Sequence, residues 1–88
     1  MISADCQKIH ITTEVYDFMF IRIEDPLLAK DSLQYEMHTN QGDLIRKGVF
    51  RGPVIQLRLS HLDDGTYSII LYDQAKNTLL VHSFKKYT

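Results

Sequence analysis

Apolar residues recur at every second position along this chain, in short runs separated by turn-forming residues. That spacing is the period of a β-strand, whose successive side chains point to opposite faces. No apolar stripe at helical spacing persists for three turns. Ile9 and Ile11 alternate with His10 and Thr12. Residues 18–23 form a denser run, with Met19, Ile21 and Ile23 on one face and Phe18, Phe20 and Arg22 on the other. Glu24-Asp25-Pro26 ends it, because proline cannot donate to a ladder. A connector over residues 27–31 has room for a single helical turn.

Beyond the connector the pattern repeats. Leu33, Tyr35 and Met37 alternate with Gln34, Glu36 and His38, the cleanest half-buried strand in the chain. A turn over residues 39–43, with Gly42 suited to positive φ, folds residues 44–50 back as its hairpin partner. Arg51-Gly52-Pro53 reverses the chain again. Ile55, Leu57 and Leu59 alternate with Gln56, Arg58 and Ser60. A corner over residues 60–65 follows, in which Asp63 and Asp64 are expected to make side-chain turn bonds. Tyr67, Ile69 and Leu71 share one face of the next strand, and residues 78–84 form the last.

About seven short strands with turn-rich links predict one all-β domain over residues 1–88, an antiparallel immunoglobulin-like β-sandwich. Val, Ile, Thr, Tyr and Phe dominate the apolar runs, as strands favour. Such a sandwich has exposed sheet edges, and Arg22, Arg46, Lys47 and Arg58 are expected to blunt them. Gly48, inside a strand rather than a turn, is expected to mark a bulge.

Charge and composition exclude several function classes. The net charge is −1, and basic residues are scattered apart from Arg46-Lys47 and Lys85-Lys86. Nothing forms a phosphate-tracking stripe, so nucleic acid is not an expected partner. A single cysteine, Cys6, allows neither an intramolecular disulfide nor a four-cysteine metal site. It reads as an ordinary residue ahead of the first strand. Residues 1–5 contain no apolar core of a signal peptide. No stretch reaches the ~18–20 apolar residues of a membrane-spanning helix.

Catalytic chemistry needs groups that converge, and the sequence offers little. Ser60, His61 and Asp63 are the residue types of a hydrolase triad, but neighbours on one turn cannot relay a proton in order. His10, His38 and His82 fall on the polar phase of their strands and, like His61, lack metal-ligand spacing. They read as solvated. No phosphate-binding glycine loop is present. The chain is therefore expected to be non-catalytic, with no cofactor and no metal. Phe18, Phe20 and Arg22 form the candidate binding surface. Because both faces of their strand are apolar, it is either a covered central strand or an exposed patch. A free sheet edge could also take an extended peptide by strand addition.

A set of short motifs recurs in fixed order: Gly42-Asp43-Leu44-Ile45, Gly48-Val49-Phe50, Leu59-Ser60-His61-Leu62, Gly65-Thr66-Tyr67 and Phe84-Lys85-Lys86. In this order and spacing, residues 33–86 resemble the type A C-terminal sorting domain of the bacterial type IX secretion system. They also resemble small stand-alone sandwich proteins of similar type. Asp63 stands where the sorting domains carry proline. The resemblance implies a sandwich recognised by a secretion translocon, with Gly65, Tyr67, Phe84, Lys85 and Lys86 as its sorting residues.

The same residues have a reading in physical terms. Leu59 and Leu62 plug one end of the sandwich, Gly65 supplies a turn, and Tyr67 packs inward with its hydroxyl on loop backbone, the logic of a tyrosine corner. Together these features suggest a non-catalytic interaction module of the bacterial cell envelope or surface, periplasmic or extracellular, binding a protein or glycan. The alternative is the sorting role. Specific partner and oligomeric state are left open.

Overall fold

In the computed structural model, residues 9–88 are described; Cys6 and the other opening residues lie outside them. The described chain forms strands β1 (Ile9–Ile11), β2 (Glu14–Val15), β3 (Phe18–Ile23), β4 (Leu33–Thr39), β5 (Leu44–Phe50), β6 (Val54–Arg58), β7 (Gly65–Tyr72) and β8 (Thr78–Lys86), with one short helix, α1 (Pro26–Lys30). The expected strands are all present. β2 is an addition, two residues too short to show a period.

The strands form two sheets, β1-β3-β6 and β2-β8-β7-β4-β5, which pack as an all-β sandwich. In outline this is the immunoglobulin-like arrangement, with the chain passing from the first sheet to the second between β1 and β2. Thr12 still donates its backbone N–H to Phe20 in the first sheet. Thr13 already accepts one from Lys85 in the second. β2 runs parallel to β8, and the other pairs are antiparallel. Among the described residues no helix is long and apolar enough to cross a membrane.

Alternation determines which side chains fill the core. Met19, Ile21 and Ile23 from β3, with Leu57 from β6 and Leu59 just beyond it, face Leu33, Tyr35 and Met37 from β4, Ile69 and Leu71 from β7 and Phe84 from β8. Fully burying side chains of this size contributes about 1.5–3 kcal/mol each before the opposing conformational entropy is counted. Helix α1 starts where Asp25 accepts the Leu27 N–H at 3.0 Å, with Pro26 in its first turn. It lays Leu28 and Ala29 on the core and leaves Leu27 in solvent.

Four expectations change. Arg22 lies on β3, the central strand of its sheet, so it guards no edge. Arg46 and Lys47 do lie on an edge strand, β5, and Arg58 on another, β6. Arg46 reaches further than expected: its Nη1 donates to the Arg58 carbonyl at 2.8 Å, while the guanidinium lies 5.9 Å from the Tyr35 ring centroid. One side chain thus links β5 to β6 across the open side of the sandwich.

Gly48 marks no bulge. It pairs in regular register with Tyr35, and the irregularity falls between Met37 and His38. His82 lies on the same face of β8 as buried Phe84, and its Nε2 is buried without a hydrogen-bond partner. The apolar run Leu79-Leu80-Val81 obscures the phase of this strand, because the ladder slips one residue there.

At the corner before β7, Asp63 contributes its backbone carbonyl rather than its carboxylate. That carbonyl accepts the Tyr67 hydroxyl at 2.7 Å. The Asp64 carboxylate accepts from the Thr88 hydroxyl instead of closing its own turn. The Tyr67 ring stacks on Phe84 with centroids 5.6 Å apart, so the corner is anchored on the last strand.

Candidate functional site

The outer face of β1-β3-β6 is built by the same alternation that fills the core. Met19, Ile21 and Ile23 point inward, so Phe18, Phe20 and Arg22 point out. Phe18 is 41% exposed and Phe20 48%, so the central strand is not covered. Helix α1 covers core residues and leaves this face open.

Cross-strand pairing assembles the rest. Arg58 lies opposite Phe18, Gln56 opposite Phe20 and Val54 opposite Arg22 on β6, while His10 flanks Arg22 on β1. Val54, missed in the sequence because Pro53 obscures where its strand begins, is a third exposed apolar side chain here.

Polar groups fix the upper end of the face. The Arg22 guanidinium lies 2.9 Å from Glu24, whose carboxylate is also 3.4 Å from His10 Nε2. At the middle, the Phe20 backbone N–H donates to the Thr12 hydroxyl at 3.0 Å, clamping the end of β1 beside the ring. A shallow depression results, lined by His10, Thr12, Phe20, Arg22 and Val54. Two aromatic rings with an arginine and flanking amide and imidazole groups make a surface that can bury apolar area and direct hydrogen bonds at once. Aromatic residues and arginine are the types enriched in protein interfaces.

The sorting-like residues are placed differently. Phe84 is 1% exposed and Lys86 2%, with the Lys86 ammonium donating to the Tyr87 carbonyl at 2.8 Å. Gly65 and Lys85 are exposed. Tyr67 is half-buried at the corner, and desolvation, with the nearby Asp63 and Asp64 charges, raises its phenol above the ordinary range. Ser60, His61 and Asp63 share a turn, and the Ser60 hydroxyl accepts from Arg58 Nε at 3.1 Å. The chain matches no known family model and no curated protein. The resemblance to sorting domains therefore rests on its ordered motifs alone.

The outer face of the second sheet carries a polar cluster that sequence reading missed. Glu36 Oε1 lies 3.2 Å from His38 Nε2 and accepts from the Tyr72 hydroxyl at 3.3 Å. His38 Nδ1 lies 3.3 Å from the Gly42 carbonyl, tying the cluster to the β4–β5 turn. The Glu36–His38 pair was visible as an i, i+2 spacing on one strand face. Tyr72 was not, because only register brings it beside Glu36.

The hydrogen bond from His38 is the main reason the Glu36 carboxyl is held below its ordinary value of 4.5. Desolvation, then the Glu36 charge, raises the Tyr72 phenol. A lowered folded-state value means that Glu36 stabilises the fold fully above its unfolded value. That contribution is lost as pH falls through the lower folded value. Glu36→Gln should therefore be less stable than the parent above pH 4.5, with the gap closing on acidification. Urea unfolding from neutral pH to acid checks this; a gap independent of pH would contradict it.

Proposed function

We propose that this protein is a non-catalytic binding module of the bacterial cell envelope or surface, periplasmic or extracellular, and that it engages a protein or glycan partner through the outer face of β1-β3-β6. The observation that carries the reading is the exposure of Phe18 and Phe20 together on the central strand of that sheet, beside Arg22 and Val54. A strand that turns two phenylalanines to solvent keeps apolar area available that folding does not use. Truncating such aromatic anchors characteristically costs a complex ~2 kcal/mol or more.

The test pairs residues 1–88 with a Phe18→Ser/Phe20→Ser variant. Both are probed on a glycan array and, with a photo-crosslinking residue at position 56, against extracellular proteins of the producing bacterium. Since both phenylalanines lie outside the core, the variant should keep the parent's melting temperature and lose at least ~10-fold in binding. A partner held equally well by the folded variant would place the site elsewhere.

The sorting role is the second reading, favoured by the ordered motifs from Gly42 to Lys86. Lys85 is the one residue of the closing Phe84-Lys85-Lys86 motif that is open to a receptor.

A further inference from the structure

Edges of β-sheets expose unpaired backbone groups, and proteins usually blunt them with charge, proline, bulges or short strands. Three of the edges in this sandwich follow that rule. β1 is three residues long. β5 carries Arg46 and Lys47 at its middle. β6 follows Pro53 and ends in Arg58, whose carbonyl is already taken by Arg46.

The fourth edge is less protected: its one irregularity is the slip of the β7–β8 ladder at Leu79, near the start of the free stretch. β8 pairs with β7 along its length, but on its other side β2 reaches only Lys85 and Lys86. Among the described residues nothing pairs with that side between Thr78 and Phe84. This stretch holds no Asp, Glu, Lys or Arg and no proline. The backbone direction follows from the neighbouring bonds. Lys85 and Tyr87 donate their N–H groups towards β2. Strand alternation therefore turns the N–H and C=O of Val81 and Ser83 to the same, open side. Val81 is also 61% exposed, next to Ile70 on the outer face.

We propose that this edge is a self-association surface, where β8 pairs antiparallel with β8 of a second copy about a two-fold axis at Val81. The free stretch spans roughly 23 Å at ~3.3 Å per residue, enough for a strand of ordinary length. It is bounded by β2 at one end and by the loop over residues 73–77 at the other, which fixes the register. Val81 then exchanges both backbone hydrogen bonds with its counterpart, and Ser83 lies opposite Leu79 of the second copy. No like charges meet. The corresponding pairing of β5 about Lys47 would set lysine against lysine, which is destabilising. Two-fold self-pairing of one patch is the commonest form of protein association. This surface is separate from the Phe18–Phe20 face, which stays open in both copies.

The test is the solution mass of residues 1–88 by sedimentation equilibrium, from low micromolar to submillimolar concentration. The parent should move from monomer to dimer. Val81→Lys, which places two lysines face to face, should weaken association at least ~10-fold. Val49→Lys, on the exposed face of β5, should leave it unchanged. A parent that stays monomeric throughout overturns the proposal, and so does a dimer undiminished by Val81→Lys. Should Val81→Lys fail to fold, hydrogen exchange of the parent decides: Val81 and Ser83 amides should slow as concentration rises, and amides indifferent to concentration overturn it.

Discussion

Phe84→Ala is expected to destabilise the domain by about 3–5 kcal/mol, the usual range for truncating a buried phenylalanine. Phe84 is fully buried, stacks on Tyr67, and lies between the corner before β7 and the core of both sheets. A domain of this size has a total stability of only about 4–13 kcal/mol at typical values per residue. Urea unfolding should therefore show the midpoint collapsing, with much of the chain unfolded at physiological temperature. A loss below ~1 kcal/mol would mean that the corner is not anchored on β8.

This expectation governs how the sorting role can be tested. Removing residues 84–86 takes away Phe84, buried Lys86 and the end of β8, the part that pairs with both β7 and β2. Export of a linked cargo would then fail because the domain unfolds, whatever a translocon recognises. Lys85→Glu separates the two causes. The side chain is exposed, so the fold should persist with a melting temperature close to the parent's, while a receptor reading the basic tail would lose its contact. Unimpaired export of a folded Lys85→Glu fusion would remove the tail from the recognition surface.

Much of the fold was legible because alternation over five or more residues fits a half-buried strand and no helix. Met19, Ile21 and Ile23, or Leu33, Tyr35 and Met37, settle which face is buried. Tyr67 was legible on different grounds: a tyrosine two residues after a corner glycine has a backbone carbonyl within reach. What failed were features set by register rather than by local pattern. β2 exists because Thr13 and Val15 carbonyls meet Lys85 and Tyr87 N–H groups, a coincidence of two distant segments. His82 was misphased because three successive apolar residues, Leu79 to Val81, fit either face until the slip in the ladder is known. The exposed aromatic face was visible as a pattern, but exposure depends on whether α1 folds over it, and five residues of helix do not show where they dock.

Gly48 is the clearest case of a residue whose role only register reveals, and its substitution carries the second large effect. In most strands Gly→Ala gains about 0.5–1 kcal/mol through reduced backbone freedom. Here a Cβ would lie 2.8 Å from Tyr35 Cε1 and 3.0 Å from its hydroxyl oxygen. Tyr35 has little room to retreat: it is buried, with Phe50 at 6.2 Å and the Arg46 guanidinium at 5.9 Å from its ring. The aromatic ring folds over the glycine and supplies the cover that the missing side chain cannot. Overpacking should outweigh the entropic gain, so Gly48→Ala is expected to cost about 1–3 kcal/mol. The sign should change once the ring is gone. In a Tyr35→Leu background the same substitution should be neutral or stabilising, a coupling of ~1–3 kcal/mol in the double-mutant cycle. Equal costs in both backgrounds would show that the glycine is required for some reason other than the ring that covers it.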